Sequence, residues 1–257
     1  MMNLSELKSS LDVIDDDIFQ KGIVEDIIFS ACKSIDFDDD PDSSYIKKVC
    51  EKFLGSSFEL NCKINLKNNE EREIKIDNIN IMGICIQDIF IDYLKDKLKT
   101  IENGPGQAPP DFWNRNKEFS WEIKTFYKKP SFDISNVVSY ITQLGEKDGV
   151  KNKLYKTKYI IFKYNYENSK IIIIDYKICR IWQLLSYNKK YPLSLQSKRN
   201  TWYNLRPGSY ESFDDTTKNP QMFIEALCSC IQKCPNRIDE REKIIASIRQ
   251  QYNSIYL

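Results

Sequence analysis

Asp111 follows Pro110 and is separated by ten residues from the triplet Glu122-Ile123-Lys124. In an extended strand residues i and i+2 leave the same face, so Glu122 and Lys124 project together. A turn that brings Asp111 alongside gathers two carboxylates and an ammonium at one point. Two carboxylates offer the hard oxygen ligands that magnesium takes, and its other positions stay open to water and a phosphate oxygen. A metal so held lowers the pKa of a bound water and offsets charge building on phosphorus. The lysine ammonium can orient that water or offset the same charge. The bland alternative is a salt bridge between Glu122 and Lys124 on an exposed strand.

The surrounding pattern supplies the elements that would position these groups. Phe119 to Thr125 alternates as a strand, with Trp121 and Ile123 on the face opposite Glu122 and Lys124. Residues 109–113 predict a short strand entering a turn, after Asn103-Gly104-Pro105-Gly106 ends a helix over 86–101. Upstream, the periodicity predicts helices over 14–35 and 44–53 and a hairpin of 58–66 with 72–81. Downstream it predicts a helix over 133–145, apolar strands at 159–164 and 171–176, and a short helix over 178–187. Residues 188–220 lack periodicity, and helices follow at 221–233 and 238–253. No internal repeat or linker stands out. The expectation is a single α/β domain over 1–257, a mixed β-sheet core flanked by helices.

Composition narrows the chemistry. Histidine is absent, which excludes Ser-His and Cys-His nucleophile pairs, histidine bases and histidine-bound zinc. The eight cysteines (32, 50, 62, 85, 179, 228, 230, 234) lack the dense spacing of a secreted disulfide scaffold. No apolar run approaches the roughly 18 residues of a membrane span. Asp12, Asp15, Asp16 and Asp17 give the chain start the wrong charge for a signal peptide, so a cytoplasmic protein is expected. A net charge of +1 conceals an asymmetry: residues 1–60 hold 6 Lys+Arg against 14 Asp+Glu, and residues 147–206 hold 14 against 3. A one-sided basic segment suits a polyanion, although lysine-rich solvated surface is the plain alternative.

Pro110, Asp111, Glu122 and Lys124, flanked by Phe112, Trp121 and Ile123, resemble the motif of the PD-(D/E)xK nuclease superfamily, and within it the type II restriction endonucleases. The segment Pro130-Ser131-Phe132-Asp133-Ile134-Ser135-Asn136 is similar to restriction enzymes of the NgoBV kind. The expected order of turn, strands, helix and strand matches that superfamily's core, here about 86–176. The resemblance implies a restriction endonuclease-like fold and Mg²⁺-dependent hydrolysis of double-stranded DNA at a specific short site, with Mn²⁺ able to substitute. It assigns the metal to Asp111, Glu122 and the backbone carbonyl of Ile123, and the attacking water to Lys124. Members often add an acid from an earlier helix, a role open to Glu25, whose alternative is a solvated helix face. Tyr140 and Gln143 could face the site or be ordinary helix surface. A repair or junction nuclease of the same fold, or a non-catalytic DNA-binding protein, are the competing functions.

Reading of the DNA is expected in residues 188–215. Gln196, Lys198, Arg199, Asn204 and Arg206 combine cations and amides. Arg pairs with guanine and Asn or Gln with adenine through two hydrogen bonds, and Lys contacts phosphate. Gln107, in the turn before Asp111, is a further DNA-binding candidate. A homodimer would match a palindromic site, with the helices of 221–253 as its contact. Cys228, Cys230 and Cys234 could be read as a metal cluster, but a Cys-x-Cys pair diverges on a helix, and buried thiols are the expectation.

Overall fold

Residues 42–256 are described by the computed structural model, apart from 66, 68–69, 77, 106–109, 115–118, 137–153, 155, 169, 187–192, 194, 199–200 and 234–240. The chain divides into two compact units, Met1–Ser43 and Ser44–Leu257. The helix expected over 14–35 lies outside the described residues. In chain order the elements are α1 (Ser43–Phe53), β1 (Ser57–Phe58), β2 (Asn61–Asn65), β3 (Glu71–Lys75), α2 (Ile79–Lys97), β4 (Glu102–Asn103), β5 (Phe112–Trp113) and β6 (Ser120–Tyr127). There follow β7 (Ser135–Asn136), β8 (Thr157–Glu167), β9 (Lys170–Cys179), β10 (Leu195–Lys198), β11 (Thr201–Leu205), a 3-10 turn (Tyr210–Asp214), α3 (Pro220–Lys233) and α4 (Arg241–Tyr256).

The main sheet runs β1-β9-β8-β6-β5-β4, with β6 and β8 parallel and every other neighbour antiparallel. The expected mixed sheet with helical flanks is therefore the observed one. β8 shows why the apolar runs are continuous: Ile160 and Phe162 enter a core with α1 and α2, while Tyr159 and Ile161 enter a second core with α3 and α4. A strand covered on both faces has no solvent side to make polar. Helix α2 carries a buried stripe, Met82, Ile86, Phe90 and Leu94, at a spacing of one helical turn. Burying each such side chain contributes on the order of 2 kcal/mol. Gly83 lets α2 approach β6, because a Cβ there would stand 2.5 Å from Thr125 Oγ1.

Three expectations fail locally. The helix over 178–187 is replaced by the end of β9 and a series of turns. Its carbonyls are taken elsewhere: Leu184 accepts from the Gly208 N–H at 2.7 Å, and Gln183 and Leu185 accept from Lys218 Nζ at 3.0 Å each. Of the helix expected over 133–145, the described start forms β7 instead, since the Ile134 N–H donates to Leu205 O and Ser135 and Asn136 pair with β11, and 137–145 lie outside the described residues. The hairpin of β2 and β3 ends at Lys75, and the Met82 N–H donates to Asn78 O to begin α2 before the expected position 86. In each case a bond to a distant segment or a local helix start outweighs side-chain periodicity.

Candidate active site

The alternation of β6 divides its side chains as its sequence predicts. Trp121 and Ile123 are buried in the core beside α2, and Phe112 stacks on Trp121 with ring centres 6.0 Å apart and planes 5° from parallel. That stacking accompanies the pairing of Phe112 with Trp121, which holds β5 against β6. Glu122 and Lys124 are left on the opposite face, with Lys124 Nζ 3.0 Å from Glu122 Oε2.

Asp111, just before β5, is anchored by its backbone on two sides. Its N–H donates to Trp121 O at 3.0 Å, and its carbonyl accepts from the Gly104 N–H at 2.9 Å. Gly104 must lack a side chain, because a Cβ there would lie 1.6 Å from the Pro110 carbonyl oxygen. Both carboxylate oxygens of Asp111 are also engaged. Oδ2 accepts from the Ile123 N–H at 2.5 Å, and Oδ1 accepts from Gln87 Nε2 of α2 at 2.5 Å. In a strand the N–H and C=O of one residue point to the same side. The Ile123 carbonyl therefore faces the edge where Asp111 sits.

These groups form one electrostatic unit. Burial first, and the negative charge of Glu122 second, raise the Asp111 pKa from 3.8 to about 6 against the opposing pull of the Ile123 N–H, Lys124 and Gln87. Burial alone would lower the Lys124 pKa, but the charges of Glu122 and Asp111 outweigh it and raise the ammonium above its usual range. Glu122 is only 4% exposed, so its pairing with Lys124 is not the surface salt bridge that the sequence also allowed.

The donors present fit a divalent cation of the magnesium type. Two carboxylates that crowd each other, with a backbone carbonyl turned to the same edge, form an oxygen-only set. A cation would offset the burial and the repulsion from Glu122 that raise Asp111. Among the described residues no three His, Cys, Asp or Glu side chains group as a closed metal cage. Asp111 lines a cleft of about 520 Å³ whose other wall is α2, with Gln87 and Asp88.

Several residues expected to contribute lie outside the described residues: Glu25, Gln107, Tyr140, Gln143, Arg199 and Cys234. Gln196 and Lys198 lie on β10, which pairs with β11 and through it with β7 in a second, three-stranded sheet. Asn204 of β11 is buried opposite Gln196 and Asn136. Arg206 follows β11, and its Nε stands 3.1 Å from Asp133 Oδ1 while its Nη1 donates to Ser131 O. Asp133 in turn adds to the negative field at Lys124. Cys228 and Cys230 are buried in α3, and burial raises both thiol pKa values. Sequence reasoning passed over Gln87. The available signal was Gly83 one turn earlier, a residue too small for a helix surface unless something packs closely there.

Comparison with known proteins gives this geometry a family. The model of the NgoBV restriction endonuclease family matches residues 42–256. The type II restriction enzyme NlaIV of Neisseria lactamica is 26% identical over 170 residues, covering 63% of this chain and 68% of that protein. The solved structure of NlaIV restriction endonuclease superposes with a TM-score of 0.65 at 20% identity, covering 83% of this chain and 89% of its own, a likeness of fold. Use of a divalent metal and binding of DNA are general to such enzymes. With a family match that spans both the Asp111–Lys124 edge and the β10–β11 sheet, the chain belongs to the NgoBV restriction endonuclease family and is a type II restriction endonuclease, a site-specific deoxyribonuclease acting on phosphodiester bonds.

Proposed function

We propose that Asp111, Glu122 and Lys124 form the cleavage centre of this enzyme and that Asp111, Glu122 and the Ile123 carbonyl hold Mg²⁺, with Mn²⁺ as a substitute. The observation that carries this reading is the gathering of two acids and one lysine at one strand edge, with Lys124 Nζ 3.0 Å from Glu122 Oε2 and Asp111 raised to about 6, first by burial and then by the charge of Glu122. When bound, the cation supplies a water of lowered pKa and offsets the charge that develops on phosphorus. Asp111 is ionised near neutral pH and is held still by four hydrogen bonds. Lys124 stays protonated because its pKa is raised, so it acts as a donor rather than a base. It orients the attacking water or neutralises a non-bridging phosphate oxygen.

The substrate in this reading is double-stranded DNA in the cytoplasm, read by the β10–β11 sheet. Arg199 or Arg206 would contact a base, with Asn204 or Gln196 assisting, Lys198 on phosphate and Gln107 a further contact. Arg206 stands at the end of β11, paired with Asp133. A homodimer through α3 and α4 would place one centre on each strand of a palindromic site. The test is incubation with unmethylated phage DNA and Mg²⁺, followed by sequencing of the ends. One recurrent site, lost in Asp111→Ala and Glu122→Gln, supports the assignment. Cleavage by either variant at more than a tenth of the wild-type rate overturns it.

A further inference from the structure

We infer that Gln87 is the positioning residue that aims the Asp111 carboxylate at the metal. The inference rests on the assignment of Asp111 as a ligand.

Two observations converge on it. First, Gln87 Nε2 donates to Asp111 Oδ1 at 2.5 Å while the Ile123 N–H holds Oδ2 at 2.5 Å, so the amide and the strand edge grip the two oxygens from different elements. A carboxylate held at both oxygens cannot rotate about its last torsion. Second, the reach of Gln87 depends on how close α2 lies to β6. Gly83, one turn before Gln87, meets Thr125 of β6 where a Cβ would come within 2.5 Å of Oγ1. The neighbouring stripe of Met82, Ile86 and Phe90 is buried against the sheet, which fixes the rotation of the helix. Groups that orient a metal ligand from behind typically change metal affinity or activity 10- to 100-fold when removed.

The test uses full-length protein without DNA and measures Mn²⁺ binding by electron paramagnetic resonance, with single-turnover cleavage and thermal melting measured on the same samples. Gln87→Met keeps the length of the side chain and removes the donor. We expect Gln87→Met to melt close to wild type, to bind Mn²⁺ roughly tenfold or more weakly, and to cleave more slowly, and we expect Asp111→Asn to abolish any further effect of Gln87→Met. A packing role alone would leave Gln87→Met with wild-type Mn²⁺ affinity, and that result overturns the inference. Asp111→Asn serves as the reference. If it too binds Mn²⁺ as wild type does, the assignment of the cleavage centre fails. If only Gln87→Met does, that assignment stands and the role of Gln87 falls.

Discussion

The cleavage edge and the β10–β11 sheet lie close in function and were reached by opposite routes in the chain. Asp111, Glu122 and Lys124 come from one turn and one strand, held by β5 pairing on β6 and by the stacking of Phe112 on Trp121. The second sheet depends on partners far away in sequence. Arg206 bonds Ser131, 75 positions earlier, and Asn204 and Leu205 pair with Asn136 and Ser135. The first region concentrates negative charge in a buried setting, and the second pairs its Arg206 with Asp133. Chemistry on a phosphate needs the rigid, desolvated arrangement, whereas reading a groove needs reach. The contact of Asp133 with Arg206 and its field at Lys124 bring the two together at one acid.

The contrast is sharpest in cleavage rate. Glu122→Gln should lower single-turnover cleavage by more than about a hundredfold while leaving DNA binding intact, since it removes a metal charge rather than a DNA contact. Lys124→Ala should cost on the order of a hundredfold for loss of a transition-state donor. A filter-binding assay beside the cleavage assay checks both. Loss of DNA binding in proportion to rate would blur the distinction between the two regions.

Asp111 gives a stability test of the same region. Its folded-state pKa of about 6 lies above the ordinary 3.8, so the folded state prefers the neutral acid. That stability is intact below about pH 4 and is lost as pH rises through about 6. Asp111→Asn removes the loss, and in metal-free buffer at pH 7 it should be more stable than wild type by up to about 3 kcal/mol, converging with it at acid pH. Urea melts across the pH range read this out. A variant equal to or weaker than wild type at every pH would mean that the site is not electrostatically strained.

Effects on the reading sheet should be smaller and should change selectivity. Arg206→Ala is expected to lower the cognate-to-scrambled binding ratio by roughly 1–3 kcal/mol. Lys198→Ala should weaken both duplexes equally and flatten the salt dependence by about one unit of slope. Titrations of both duplexes at several salt concentrations separate these outcomes. An unchanged ratio in Arg206→Ala would move base recognition to another segment.

What the sequence disclosed follows the same division. Glu122 and Lys124 were legible because a two-residue strand period needs no tertiary information, and Asp111 because a Gly/Pro turn precedes a short strand. The long strands β8 and β9 were legible from their isoleucine runs. Gln87 was not, because its partner is 24 positions away and nothing in a helical pattern marks an amide as reaching a carboxylate. β7 was hidden for the same reason: Ser135 and Asn136 have no strand character without β11 beside them. Residues 178–187 look helical until Lys218, more than thirty positions on, claims the carbonyls of Gln183 and Leu185.

The most direct test of the cleavage centre is single-turnover cleavage of unmethylated DNA by wild type and Asp111→Asn over a range of Mg²⁺ concentrations, with the ends sequenced. The expected result is no cutting in excess chelator, a saturable rise with Mg²⁺ to ends at one defined site, and silence from Asp111→Asn at every concentration. Cutting by wild type in chelator, or by Asp111→Asn at more than a tenth of the wild-type rate, would contradict a metal-dependent centre built on Asp111.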